Sequence, residues 1–67
     1  MIKREYFVVI KNISTDSIAS IEARCDSEEN ANLFMRENEY QITDMNKCFK
    51  QPMYRYAVQE VVVIEGD

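Results

Sequence analysis

QITDMNKCF, residues 41 to 49, decides how many strands this chain has. Ile42 and Cys48 share one parity, and Met45 and Phe49 share the other, so the stretch reads as a strand near residues 42 to 49. KQP, residues 50 to 52, reads as the turn that follows. Pro52 removes an amide donor and biases Gln51 toward an extended shape. Beyond it comes MYRYAVQEVVVIE, residues 53 to 65, whose apolar run VVVI stops at Glu65-Gly66. This strand is long for a small sheet, which predicts a bend or bulge within it.

Upstream, the period changes. DSEENANLFMRENEY, residues 26 to 40, places Ala31, Phe34 and Met35 on one stripe at helical spacing, with Leu33 on the opposite side. Asp26 or Ser27 can cap a helix, and Asp26 with Glu29 has capping-box spacing. Glu28 and Glu29 fall in the first turn, where free amides favour negative charge. The expected helix spans about Ser27 to Glu39.

Before the helix, REYFVVIKNI at residues 4 to 13 is apolar on both strand faces at its centre, as an interior strand should be. SIEARC, residues 20 to 25, alternates. Ile21, Ala23 and Cys25 are expected on one face, and Ser20, Glu22 and Arg24 on the other. The small polar residues STDS, 14 to 17, join the two as a hairpin. The expected fold is α+β, a β-β-α-β-β two-layer sandwich, with one helix on a four-stranded, mostly antiparallel sheet. At 67 residues the chain has room for one domain, residues 1 to 67, with a small core.

Composition narrows the chemistry. There is no histidine, the commonest acid–base side chain. Gly66 is the only glycine, too few for a phosphate-cradling loop or a dinucleotide fingerprint. Cys25 and Cys48 stand far apart with no CxxC pattern, so they read as free thiols rather than zinc ligands. Neither a signal-peptide core nor a membrane-spanning run is present, which gives a cytoplasmic expectation. Asp26, Glu28, Glu29, Glu37 and Glu39 could hold a cation, but a solvated helix face accounts for them as well. A reactive Cys25 would need a cationic neighbour or a base, and Arg24 is expected on the opposite strand face. The expectation is a non-enzymatic protein with no catalytic, metal or cofactor site.

What remains points to protein contact. Tyr54, Tyr56, Val58, Val62 and Ile64 share one face of the last strand, and a single helix covers only one face of the sheet. The other face should leave an apolar patch of the kind that binds partners. Leu33 lies on the polar side of the helix, near Tyr40, beside an acidic ridge that includes Glu29 and Glu37 and could steer a basic partner. The expected interface is Tyr54, Arg55, Tyr56, Val58, Val62, Leu33, Glu29 and Glu37. It would be filled by a second copy in a homodimer or by a different protein.

Tyr54-Arg55-Tyr56 also allows an alternative, a stacking platform for single-stranded nucleic acid. The net charge of −4 argues against that reading. Small size, absent catalytic equipment and this layout are similar to the broad class of accessory proteins carried by phages and mobile elements. Several of those bind and inhibit a bacterial enzyme or immune complex. That similarity implies an inhibitor or adaptor, and it is one of size and architecture only.

Overall fold

The computed structural model describes residues 1 to 65. Gly66, read above as the stop of the last strand, lies outside the described residues. The element order is β1 (Ile2–Asn12), β2 (Ile18–Cys25), α1 (Glu28–Glu37), α2 (Glu39–Asn46) and β3 (Tyr54–Ile64). The sheet has three strands in the order β2-β1-β3, and both pairings are antiparallel. The expectation of four strands and one helix is therefore corrected, among the described residues, to three strands and two helices.

The error lies in residues 42 to 49. Their half-buried side chains are Gln41, Ile42, Met45 and Asn46, spaced as one face of a helix, while Thr43, Asp44 and Lys47 are exposed. The apolar residues of the stretch, Ile42, Met45 and Phe49, also stand at i, i+3 and i+7, a helical spacing that pairing them by strand parity overlooks. Asn38 divides the helical region. Its N–H and Nδ2 both donate to the Phe34 carbonyl, 3.0 and 2.9 Å away, which ends α1. Its own carbonyl accepts from the Gln41 N–H at 3.0 Å, which opens α2. At the other end of α1, Ser27 is the cap, and its Oγ accepts from the Asn30 N–H at 3.1 Å.

The hairpin between β1 and β2 turns on an Asx motif. Asn12 Oδ1 accepts from the amides of Ser14 and Thr15. Asp16 takes φ 57°, a left-handed value that Asp tolerates better than most residues. The clean alternation expected in β2 is broken. Along β1 the partners jump from Ala23 to Ile21 and from Ser20 to Ile18, so Glu22 and Ala19 are the extra residues of two bulges. The first bulge separates Ile21 from Ala23 and Cys25. Ile21 pairs with Val9, whereas Ala23 and Cys25 pair with Val8 and Tyr6 on the opposite face. The bulge expected in the last strand is absent, since β3 pairs with β1 without a shift from Tyr54 to Ile64.

Among the described residues, burial is complete along the middle of β1, at Val8, Val9 and Ile10, and at Ala31 of α1. Val8 and Ile10 share a face with Val58 and Tyr56, and both helices pack there. Val9 faces the other way, with Ile21 and Ala57 beside it and no helix above it. Ile10→Ala should cost about 2–5 kcal/mol, and Ile10→Val about 0.5–1.5 kcal/mol. Urea unfolding followed by circular dichroism measures both. In a domain this small the alanine variant is expected to be largely unfolded, while the valine variant keeps a cooperative transition at lower urea.

Candidate protein-interaction surface

Three surfaces compete, and the sheet decides which side chains each one contains. On the helix side, Tyr56 reaches up from β3. Its ring meets Phe34 edge-on at 6.4 Å, and its hydroxyl lies 3.1 Å from the Asn38 carbonyl and 2.5 Å from Gln41 Oε1. One phenolic proton can serve only one of those acceptors at a time. Gln41 Nε2 donates to Glu22 Oε1 at 2.6 Å, and Ser20 Oγ donates to Glu22 Oε2 at 2.8 Å. The chain of polar contacts ties α2 to β3 and β2. The bulge at Glu22 is what turns its carboxylate toward the helices. Tyr54 is held in the same layer, its ring 6.0 Å from Phe49 and edge-on to it.

Tyr54, Tyr56 and Val58 thus lie beneath or beside the helices. Arg55 alternates to the opposite face, so the fold separates the three members of Tyr54-Arg55-Tyr56. Val62 shares the helix-side face but lies past the end of the helix layer and is 54 % exposed. Glu29, Leu33 and Glu37 form one exposed row on α1, at successive spacings of four. Tyr40 is exposed at the start of α2. The expected interface is therefore divided among separate surfaces.

The second surface is the helix-free face of the sheet. It presents Lys3, Glu5, Phe7, Val9 and Lys11 from β1, Ile21 and Arg24 from β2, and Arg55, Ala57, Gln59, Val61 and Val63 from β3. The cations sit in two groups around single carboxylates. Glu5 Oε1 is 4.0 Å from Lys3 Nζ and 3.9 Å from Arg24. Asp16 Oδ1 is 3.6 Å from Lys11 Nζ and 3.4 Å from Arg55. Four of the eight basic residues gather here with two acids, and the rest of the chain carries four basic and ten acidic residues. The molecule is electrically two-sided, which a linear reading of charge does not reveal. The signal available in the sequence was the odd-numbered parity of Lys3, Lys11 and Arg55 across two strands, legible only once their register is known.

The third surface is the end of the β1–β3 ribbon. β2 stops at Cys25, opposite Tyr6, so Ile2 to Glu5 pair with Val61 to Ile64 and with nothing else. Ile2, Val62 and Ile64 are all more than half exposed there. The ribbon makes the molecule elongated, at 51 × 25 × 12 Å. Its radius of gyration of 13.8 Å compares with about 11 Å for a compact chain of this length.

A shallow hollow at the other end of the sheet is lined by Ser14, Phe49, Lys50, Gln51, Pro52 and Met53. Those residues contain no acid–base pair. Among the described residues no set of three His, Cys, Asp or Glu is placed to hold a metal, and no helix is long and apolar enough to cross a membrane. Comparisons with family models, characterised proteins and solved structures found no match.

The fold holds the phenolic proton of Tyr56. Burial, then the negative charge of Glu22, then Tyr40, raise its pKa above the usual tyrosine value. The unfolded chain releases this proton near pH 10, and the folded chain only at higher pH. Its contribution to stability is therefore complete below about pH 10 and is lost as pH rises through the folded value. Tyr56→Phe should lower stability at neutral pH by about 1 kcal/mol through the lost hydrogen bond. It should also flatten the alkaline decline, so wild type and variant converge above pH 10. Thermal melts from pH 7 to 11 measure this. Parallel declines would mean that Tyr56 does not couple ionisation to folding.

Proposed function

We propose that this chain is a non-catalytic protein-binding module, an inhibitor or adaptor that seats an acidic surface of another protein on the helix-free face of its sheet. The observation that supports this reading is the charge segregation: Lys3, Lys11, Arg24 and Arg55 surround Phe7, Ile21, Val61 and Val63 on a molecule that is otherwise strongly acidic. Complementary potential steers encounter and excludes wrong partners, while the apolar side chains supply area to bury. The acidic row Glu29-Leu33-Glu37 lies on the other layer and repels the same partner from the wrong side, so a single docking orientation is favoured. Ile21 is 64 % exposed on the outer strand β2, between the two cationic groups along the sheet, and is the natural anchor.

The nucleic-acid alternative draws on the same four cations. Of the aromatic rings, Phe7 alone shares their face, because Tyr54 and Tyr56 are committed to the helix side. A stacking platform needs successive rings beside the backbone track, so the protein-binding reading is preferred.

The test uses wild-type protein and the pair Arg24→Glu with Arg55→Glu as parallel baits on a bacterial lysate, with captured proteins identified by mass spectrometry. The expected result is an acidic protein retained by wild type and by Glu29→Lys, and lost from the double variant at unchanged circular dichroism. Retention by the double variant would refute the role of this face. A salt-sensitive shift of single-stranded oligonucleotide by wild type would move the assignment to nucleic acid.

A further inference from the structure

The two outer edges of the sheet are treated differently. The β2 edge is interrupted by bulges at Ala19 and Glu22, a common device for stopping a further strand from adding. The β3 edge has no bulge, and from Tyr56 to Ile64 it has no proline and no lysine. The peptide groups that point outward from it follow from the pairing geometry. Glu65 N–H donates to the Met1 carbonyl at 2.9 Å, so odd residues of β3 face β1 and even residues face away. Tyr54, Tyr56, Val58, Glu60, Val62 and Ile64 are therefore the edge positions.

Only the first of these is filled. Asn46 at the end of α2 places its carboxamide against Tyr54 as a strand would. Oδ1 accepts from the Tyr54 N–H at 3.0 Å, and Nδ2 donates to the Tyr54 carbonyl at 3.1 Å. The same Oδ1 accepts from Met53 N–H at 3.0 Å. No other side-chain hydrogen bond to the backbone of β3 is present among the described residues. The open length, Tyr56 to Ile64, ends in VVVI, which is apolar on both faces and lies in the ribbon that β2 and the helices leave uncovered.

We propose that this edge is occupied by the same edge of a second copy, antiparallel across a two-fold axis at Val61, to give one continuous six-stranded sheet. This goes beyond the proposed docking of an acidic partner, since it uses the edge and leaves the helix-free face open. Charge selects the occupant's mode. Two copies stacked through their helix-free faces would oppose four like charges, Lys3, Lys11, Arg24 and Arg55 on each, whereas the edge sets only Glu60 and its copy near each other, and on a diagonal rather than directly opposite. Charge and Asn46 also select the register. An axis at Glu60 sets Glu60 directly against its copy, which is unfavourable. An axis at Gln59 asks Ile64 to pair with Tyr54, whose peptide groups Asn46 already holds. An axis at Val61 pairs Val58 with the second copy's Ile64 and Glu60 with its Val62. Both are edge positions on the same face, so both pairs make ladder bonds. The bare end of each ribbon then lies along the helix-covered body of the other copy, and an isolated two-stranded ribbon of marginal stability becomes the middle of a sheet.

Sedimentation across micromolar concentrations and site-specific crosslinking test this together. In a Cys25→Ser, Cys48→Ser background, Val61→Cys should form a covalent dimer under mild oxidation, because its side chain meets its own copy at the axis. Gln59→Cys should crosslink far less. Wild type should sediment as a reversible dimer, and Val62→Lys as a monomer with unchanged circular dichroism. Arg24→Glu with Arg55→Glu should leave the dimer intact, so loss of the acidic partner and loss of the dimer are read separately. A monomer throughout the concentration range, efficient crosslinking at Gln59 instead of Val61, or dissociation by the Arg24 and Arg55 changes would each overturn the inference.

Discussion

Val8, Val9 and Ile10 must be shielded on both faces of the sheet and paired on both edges, and the rest of the molecule is arranged to do so. Their strand is the only one with two neighbours. The hairpin supplies β2 on one side, and β3 returns from the far end of the sequence to supply the other. The helices cover Val8 and Ile10, with Ala31 of α1 buried in the same layer. Val9 gets no helix and depends on the side chains that flank it in the sheet. A core this narrow gives a stable centre and leaves the margins of the sheet to be satisfied in other ways.

Those margins carry the functional interest. One layer of two short helices cannot span strands eleven residues long. The uncovered remainder consists of a complete sheet face and the end of a ribbon. Each has a distinct physical character. The face is cationic and apolar on an acidic molecule, which suits a complementary partner. The ribbon end is apolar with free peptide groups, which suits another strand. The polar chain from Tyr56 through Gln41 to Glu22 connects these regions, because it fixes α2 and so fixes where the helix layer stops. Asn46, on the same helix, closes the first edge position of β3. A short, weakly apolar helix thus sets the limits of both exposed surfaces.

Much of this was legible in the sequence. Apolar residues on both parities of Tyr6 to Ile10 announced an interior strand, because only a central strand can bury both faces. The start of α1 was legible to within a residue from Asp26-Ser27 and the acidic first turn, since capping is a local interaction, and the structure uses Ser27 as the cap. The long final strand was evident from its β-branched run. The second helix was legible in the spacing of Ile42, Met45 and Phe49, which a parity reading took for a strand; the contacts of Gln41 and Asn46 that hold it exist only when β2 and β3 are in place to receive them.

Tertiary structure alone decided the faces. A bulge shifts the parity of everything beyond it, so one extra residue at Glu22 moved Ile21 to the open side and kept Cys25 on the covered side. The same dependence on register separated Arg55 from its neighbouring tyrosines and gathered it with Lys3, Lys11 and Arg24. Period and propensity are properties of neighbours along the chain, and they determined which segments are strands and where the first helix begins. Which charges meet, which edge stays open and which apolar residues remain uncovered are properties of pairing between distant segments, and no local pattern encodes them.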